Sequence, residues 1–83
     1  MSSLANLEAK EGTVNGQLTL TFSLPHRRYT ITNDSLNKDL QFKFNESEEF
    51  ATLKPTETFN PHVHTNKVII AGSGVEYRIW GLG

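Results

Sequence analysis

The chain is expected to fold as an all-β domain, an antiparallel β-sandwich or small barrel of about seven short strands with an N-terminal arm. Three observations carry this expectation. Apolar residues recur with a period of two over most of the chain, the signature of half-buried strands. Clusters of Gly, Pro, Asn, Asp and Ser interrupt that alternation at short, regular intervals, which favours an antiparallel sandwich or barrel over a parallel α/β arrangement. At 83 residues the chain suffices for one domain and not for two.

Residues 1–15 read as an arm, flexible or ordered against a partner, and residues 16–83 as the β-sandwich domain. Ser3-Leu4-Ala5-Asn6-Leu7-Glu8-Ala9-Lys10 contains good helix formers, and Gly12 is placed to end a short helix. Isolated helices of this length are marginal in water, so an arm or frayed turn is expected there. From Gln17 the period becomes two. Leu18, Leu20, Phe22 and Leu24 share one face, and Pro25 closes the strand because it cannot donate to a ladder.

Tyr29 and Ile31 continue the alternation, and Asn33-Asp34-Ser35-Leu36-Asn37 reads as a turn whose side chains bond back to their own backbone. Leu40, Phe42 and Phe44 give the clearest half-buried strand. Glu46-Ser47-Glu48-Glu49 is a solvated link into a strand around residues 50–53. Lys54-Pro55-Thr56-Glu57 is a turn, and Phe59 starts a strand that runs through Val63. Residues 68–71 form the next strand, and Gly72-Ser73-Gly74 supplies the positive-φ positions of a tight hairpin. Val75, Tyr77 and Ile79 then alternate with Glu76, Arg78 and Trp80.

Composition excludes several classes. There is no cysteine, hence no disulfide or thiolate metal site. Eight basic and nine acidic residues give a net charge of −1 without a basic stripe, so nucleic acid is not an expected partner. The longest apolar run, residues 68–71, is far short of the roughly 20 residues of a membrane span. No secretory leader is read at the N-terminus. Asn33-Asp34-Ser35 and Asn45-Glu46-Ser47 match the glycosylation acceptor pattern and are read as coincidence. A small chain without staples often gains stability by self-association or docking, so a homo-oligomer is expected.

His62-Val63-His64 is the most specific local pattern. In a strand the two imidazoles project from one face and can share a metal such as Zn²⁺, Ni²⁺ or Fe²⁺. A third ligand would have to come from His26, from a carboxylate such as Glu57, or from a symmetry mate. The competing reading is a pair of solvent-facing histidines opposite a buried Val63. No enzyme is expected: there is no Cys nucleophile, Gly-x-Ser-x-Gly elbow, phosphate loop or His-Glu-x-x-His helix. Glu46, Glu48 and Glu49 lie in a polar link where nothing would raise a carboxyl pKa. No cofactor is expected either.

Trp80 stands apart from the other aromatics. If Val75, Tyr77 and Ile79 face inward, then Glu76, Arg78 and Trp80 face outward together, and an outward Trp beside an Arg is the composition of an interface anchor. The alternatives are a Trp80 folded over the end of the domain, and a glycan-stacking surface of Trp80, Tyr77 and Arg78 in a carbohydrate-binding β-sandwich module.

The run Tyr29-Thr30-Ile31-Thr32-Asn33-Asp34-Ser35, then Leu40-Gln41-Phe42-Lys43-Phe44-Asn45, then Leu53-Lys54-Pro55-Thr56-Glu57-Thr58-Phe59, resembles small β-sandwich structural proteins of tailed bacteriophage virions. The resemblance covers roughly residues 28–80. It implies a virion component assembled in the host cytoplasm, a head decoration, connector or tail protein held by contacts with itself and with other virion proteins. His62-x-His64 likewise resembles the His-x-His motif of trimeric phage spikes that hold iron.

Overall fold

The computed structural model describes residues 7–83. These residues form six strands, β1 (Glu8–His26), β2 (Arg28–Asn33), β3 (Leu40–Lys43), β4 (Ala51–Leu53), β5 (Thr58–Phe59) and β6 (Thr65–Leu82). There is no helix among them. The strand order is β4-β3-β6-β2-β5, with β1 on the opposite edge of β6, and every pairing is antiparallel.

β6 is the spine. Its residues 69–71 pair with β3 and its residues 77–82 with β2, while β1 follows it along the other edge. The sheet therefore has two halves that share β1 and β6, and it curls until it nearly closes into a barrel. Side chains meet across the open side, where the rings of Phe42 and Phe59 lie 5.5 Å apart. Alternate residues of the longer strands fill the interior. Val75, Tyr77 and Ile79 point inward as their spacing predicts, against Phe22, Tyr29, Ile31 and Leu40.

Strand count and two boundaries differ from expectation. Gly72-Ser73-Gly74 makes no hairpin: β6 runs through it as one strand. The ladder slips between Val14↔Val75 and Asn15↔Ser73, leaving Gly74 unpaired at φ 69°. This β-bulge, together with Gly16 at φ 90°, forms the corner where both long strands pass from one half to the other. Gly72 is needed for space, since a Cβ there would lie 2.6 Å from Val75 Cγ2. Two expected strands are thus one, and about seven become six.

Residues 8–15, expected in the arm, instead form the first part of β1 and pair with residues 73–81. The expected short helix is replaced by strand from Glu8 to Lys10; its residues 3–6 lie outside the described residues. The inward face of β1 is also only partly covered. Leu20 and Phe22 are buried, but Leu18 and Leu24 are exposed because β1 is an edge.

One carboxylate ties the start of β1 to its end. Glu8 accepts the backbone N–H groups of Ser23 at 3.1 Å and Leu24 at 3.4 Å, and the Nε2–H of buried His26 at 2.7 Å. An ionised carboxylate only accepts, so the His26 ring donates from Nε2, and its Nδ1 has no partner among the described residues. The Ser23 backbone first, and His26 second, lower the Glu8 pKa from 4.5 to about 2. A depressed carboxyl pKa contributes stability that is fully present above the unfolded value and lost as pH falls through the folded one. The difference in Tm between the native chain and Glu8→Gln is therefore expected to hold constant at neutral pH and to vanish between pH 4.5 and about 2. Thermal melts across that range check it, and a pH-independent difference would contradict the ionic latch.

Asn33 at the end of β2 holds the opposite corner. Its fully buried side chain donates through Nδ2 to Lys38 O at 2.7 Å and Leu53 O at 3.0 Å, and accepts from Ser35 N at 2.9 Å. It binds the β2–β3 connection to β4 and leaves no room for a glycan on its amide.

Candidate functional site

The outward face of β6 near its C-terminal end gathers the most distinctive surface chemistry. Strand alternation places Glu76, Arg78 and Trp80 there together, as the sequence predicts. The register brings Thr13, Glu11 and Ala9 of β1 beside them on one side, and Thr32 and Thr30 of β2 beside Arg78 and Trp80 on the other.

Arg78 is held in place. Its Nε donates to Asp34 Oδ2 at 2.7 Å and its Nη2 to Asp34 Oδ1 at 3.0 Å, a two-pronged contact that fixes the guanidinium plane. Asp34 comes from the turn after β2, whose backbone N–H donates to Glu76 O at 2.9 Å. The hydrogen bond to Asp34 raises the Arg78 pKa above its ordinary value. The guanidinium carbon lies 5.3 Å from the ring centre of Trp80, within cation–π range. Trp80 is 37% exposed, so it is neither buried over the barrel end nor fully free.

Beside this pair is a shallow cleft of about 300 Å³ lined by Glu11, Gly12, Thr13, Asp34, Glu76, Tyr77 and Arg78. Three carboxylates face one guanidinium, so the cleft is acidic. Alternation along one strand is enough to group Glu76, Arg78 and Trp80. Glu11 and Asp34 reach the site through strand pairing and through a turn, between residues far apart in the chain, and no local pattern marks them.

The glycan-stacking surface is not formed. It needs Tyr77 beside Trp80, but Tyr77 faces the core at 6% exposure, on the opposite side of β6. The histidine pair is also placed differently. β5 ends at Phe59, and His62 and His64 lie exposed in the connection to β6 instead of in a strand. Pro61 has no N–H for a ladder, and its carbonyl accepts from Tyr29 N at 3.1 Å, which pins this stretch to β2. The two candidate third ligands are engaged elsewhere: His26 with Glu8, and Glu57 with the backbone N–H of Lys54 at 2.7 Å. Among the described residues no three His, Cys, Asp or Glu side chains come together as a metal site.

These features define an antiparallel barrel domain, its interior packed with apolar side chains and its charged and aromatic patch outside. Among solved structures the chain is similar to a cupin-2 domain containing protein from Shewanella frigidimarina NCIMB 400. The TM-score is 0.60 at 12% identity, over 94% of this chain and 72% of that one, a likeness of fold. No protein-family model and no curated protein matches the sequence.

This likeness corrects the expectation of a bacteriophage virion protein. The architecture is shared with a cupin-2 domain protein, and nothing connects it to a head decoration, connector or tail component. The segments that suggested a virion protein are turns and half-buried strands whose local chemistry recurs in unrelated β domains.

Proposed function

We propose that this chain is a non-catalytic binding domain that takes a basic segment of a protein partner on the outer face of β6. The observation that carries the reading is Arg78, clamped by Asp34 and stacked over the half-exposed Trp80 beside an acidic cleft. A preordered Arg–Trp pair loses little side-chain freedom on binding, which is the property of an interface anchor. The surplus of carboxylates from Glu11, Asp34 and Glu76 over Arg78 favours lysine or arginine side chains on the partner. Support for a non-catalytic role comes from the interior, filled by Phe22, Tyr29, Ile31 and Leu40.

Trp80 is the single tryptophan of the chain, so its emission reads this face alone. Titration with a short lysine- and arginine-rich peptide is expected to change that emission, while a glutamate-rich peptide of equal length does not. The double variant Glu11→Gln, Glu76→Gln is expected to weaken the response by about three- to tenfold. An unchanged emission with the basic peptide, or an equal response to the acidic one, would overturn the reading.

A further inference from the structure

We propose that two copies of this chain pair antiparallel along the free edge of β1, about a two-fold axis at Leu20. Among the described residues β1 pairs only with β6. Alternate residues along its other side therefore direct N–H and C=O groups outward with no strand to receive them. The stretch is bounded by the bulge at Val14 and Asn15 and by Ser23 and Leu24, whose N–H groups are taken by Glu8.

Edges are usually blunted by charge, by proline or by being short. The outer edges of β4 and β5 are short, at three and two residues. β1 is 19 residues long, with no charged residue anywhere in 12–25 and no proline before Pro25. A run of high β-propensity, without charge or proline, on an open edge is a template for another strand.

The pattern of side chains selects the occupant. A two-fold axis at Leu20 places Leu20 on itself, Leu18 opposite Phe22 and Thr19 opposite Thr21. Leu18 and Leu20 lie on the inward face of the sheet with Phe22, so pairing would extend the core across the junction and cover Leu18, now 40% exposed. Thr19 and Thr21 fall on the outer face, where threonine pairs suit cross-strand neighbours. A second copy meets all these positions by symmetry, and the contact is closed, giving a dimer and not a filament. The surface is separate from the Trp80 face. The axis lies in the half of β1 that pairs with residues 65–71, while Trp80 sits opposite Ala9.

Light scattering on the full chain at about 100 μM, well above the range where a weak dimer forms, is expected to give twice the 9.3 kDa chain mass. Thr19→Lys with Thr21→Lys puts like charges opposite one another across the axis and is expected to weaken self-association at least about tenfold. Thr19→Glu with Thr21→Glu is expected to do the same. Mixing the two double variants is expected to restore the dimer, a result that requires both to be folded. A monomeric native chain, or double variants that dimerise unchanged, or a mixture that stays monomeric while both variants keep their β-sheet circular dichroism, would overturn the proposal.

Discussion

Asn33→Ala is expected to lower the unfolding free energy by about 3–5 kcal/mol, out of a total of roughly 5–15 kcal/mol for a domain. The alanine removes two donated hydrogen bonds and one accepted bond at once, taking the Asn33 amide away from Leu53 O and Ser35 N in a buried corner. Each buried polar group left unmade costs about 1–3 kcal/mol, which exceeds the value of the bond itself. Urea denaturation measures the loss. Asn33→Asp separates shape from hydrogen bonding, because a carboxylate of the same size presents only acceptors to two carbonyl oxygens. It is expected to be no better than alanine at neutral pH. The exposed neighbour Asn37→Ala is the control, expected within about 0.5 kcal/mol of the native chain. A loss below about 1 kcal/mol for Asn33→Ala would remove its role as the link between the β2–β3 connection and β4.

Phe22→Ala is expected to cost about 3–5 kcal/mol, the usual range for deleting a buried aromatic side chain. Phe22 packs edge-on against Tyr29 at 5.3 Å and His26 at 5.6 Å, and the ammonium of Lys10 lies 5.3 Å from its ring centre. The neighbours are poorly able to close the space. His26 is held by Glu8, the Tyr29 hydroxyl donates to the Thr65 carbonyl, and Gly81 already sits so close to both rings that a Cβ would lie 2.6 Å from His26 Cδ2. Phe22→Leu keeps most of the volume and is expected to cost about 1–1.5 kcal/mol. Equal losses for the two variants in chemical denaturation would mean that the site relaxes freely.

The core was legible wherever one strand alternates cleanly. Tyr29, Ile31, Leu40, Phe42, Val75, Tyr77 and Ile79 follow a period of two, and all are buried. Leu18, Leu24 and Phe59 obey the same period and yet are exposed. Alternation states which face a residue takes, whereas cover depends on whether another strand or layer lies over that face. Gly72-Ser73-Gly74 has the composition of a hairpin turn, and the same freedom at φ above zero also serves a bulge inside a continuous strand. Only the partner decides, and β1 lies too far away in sequence to be visible locally.

The candidate site divides the same way. Glu76, Arg78 and Trp80 could be grouped from one strand. Asp34 and Glu11 join them through register, and the pairing of Glu8 with His26 joins the two ends of one curved strand, which no local pattern encodes. Asn33 has the composition of a turn former, and its bond from Ser35 N is that of a turn. Its larger part, reaching to the β4 carbonyl of Leu53, depends on the tertiary fold.

The β1–β6 ladder has a consequence for how the chain comes off the ribosome. β1 is synthesised before the other described strands and has no partner in the described sheet except β6, which follows all of them, with Glu8 opposite Gly81. β2 and β3 likewise pair with β6, leaving only the short contacts of β3 with β4 and β2 with β5 independent of it. Sheet formation therefore waits for translation of β6. Until then the uncharged stretch of β1 lies open to pairing with other nascent chains, the exposure that slow, non-local strand pairing carries.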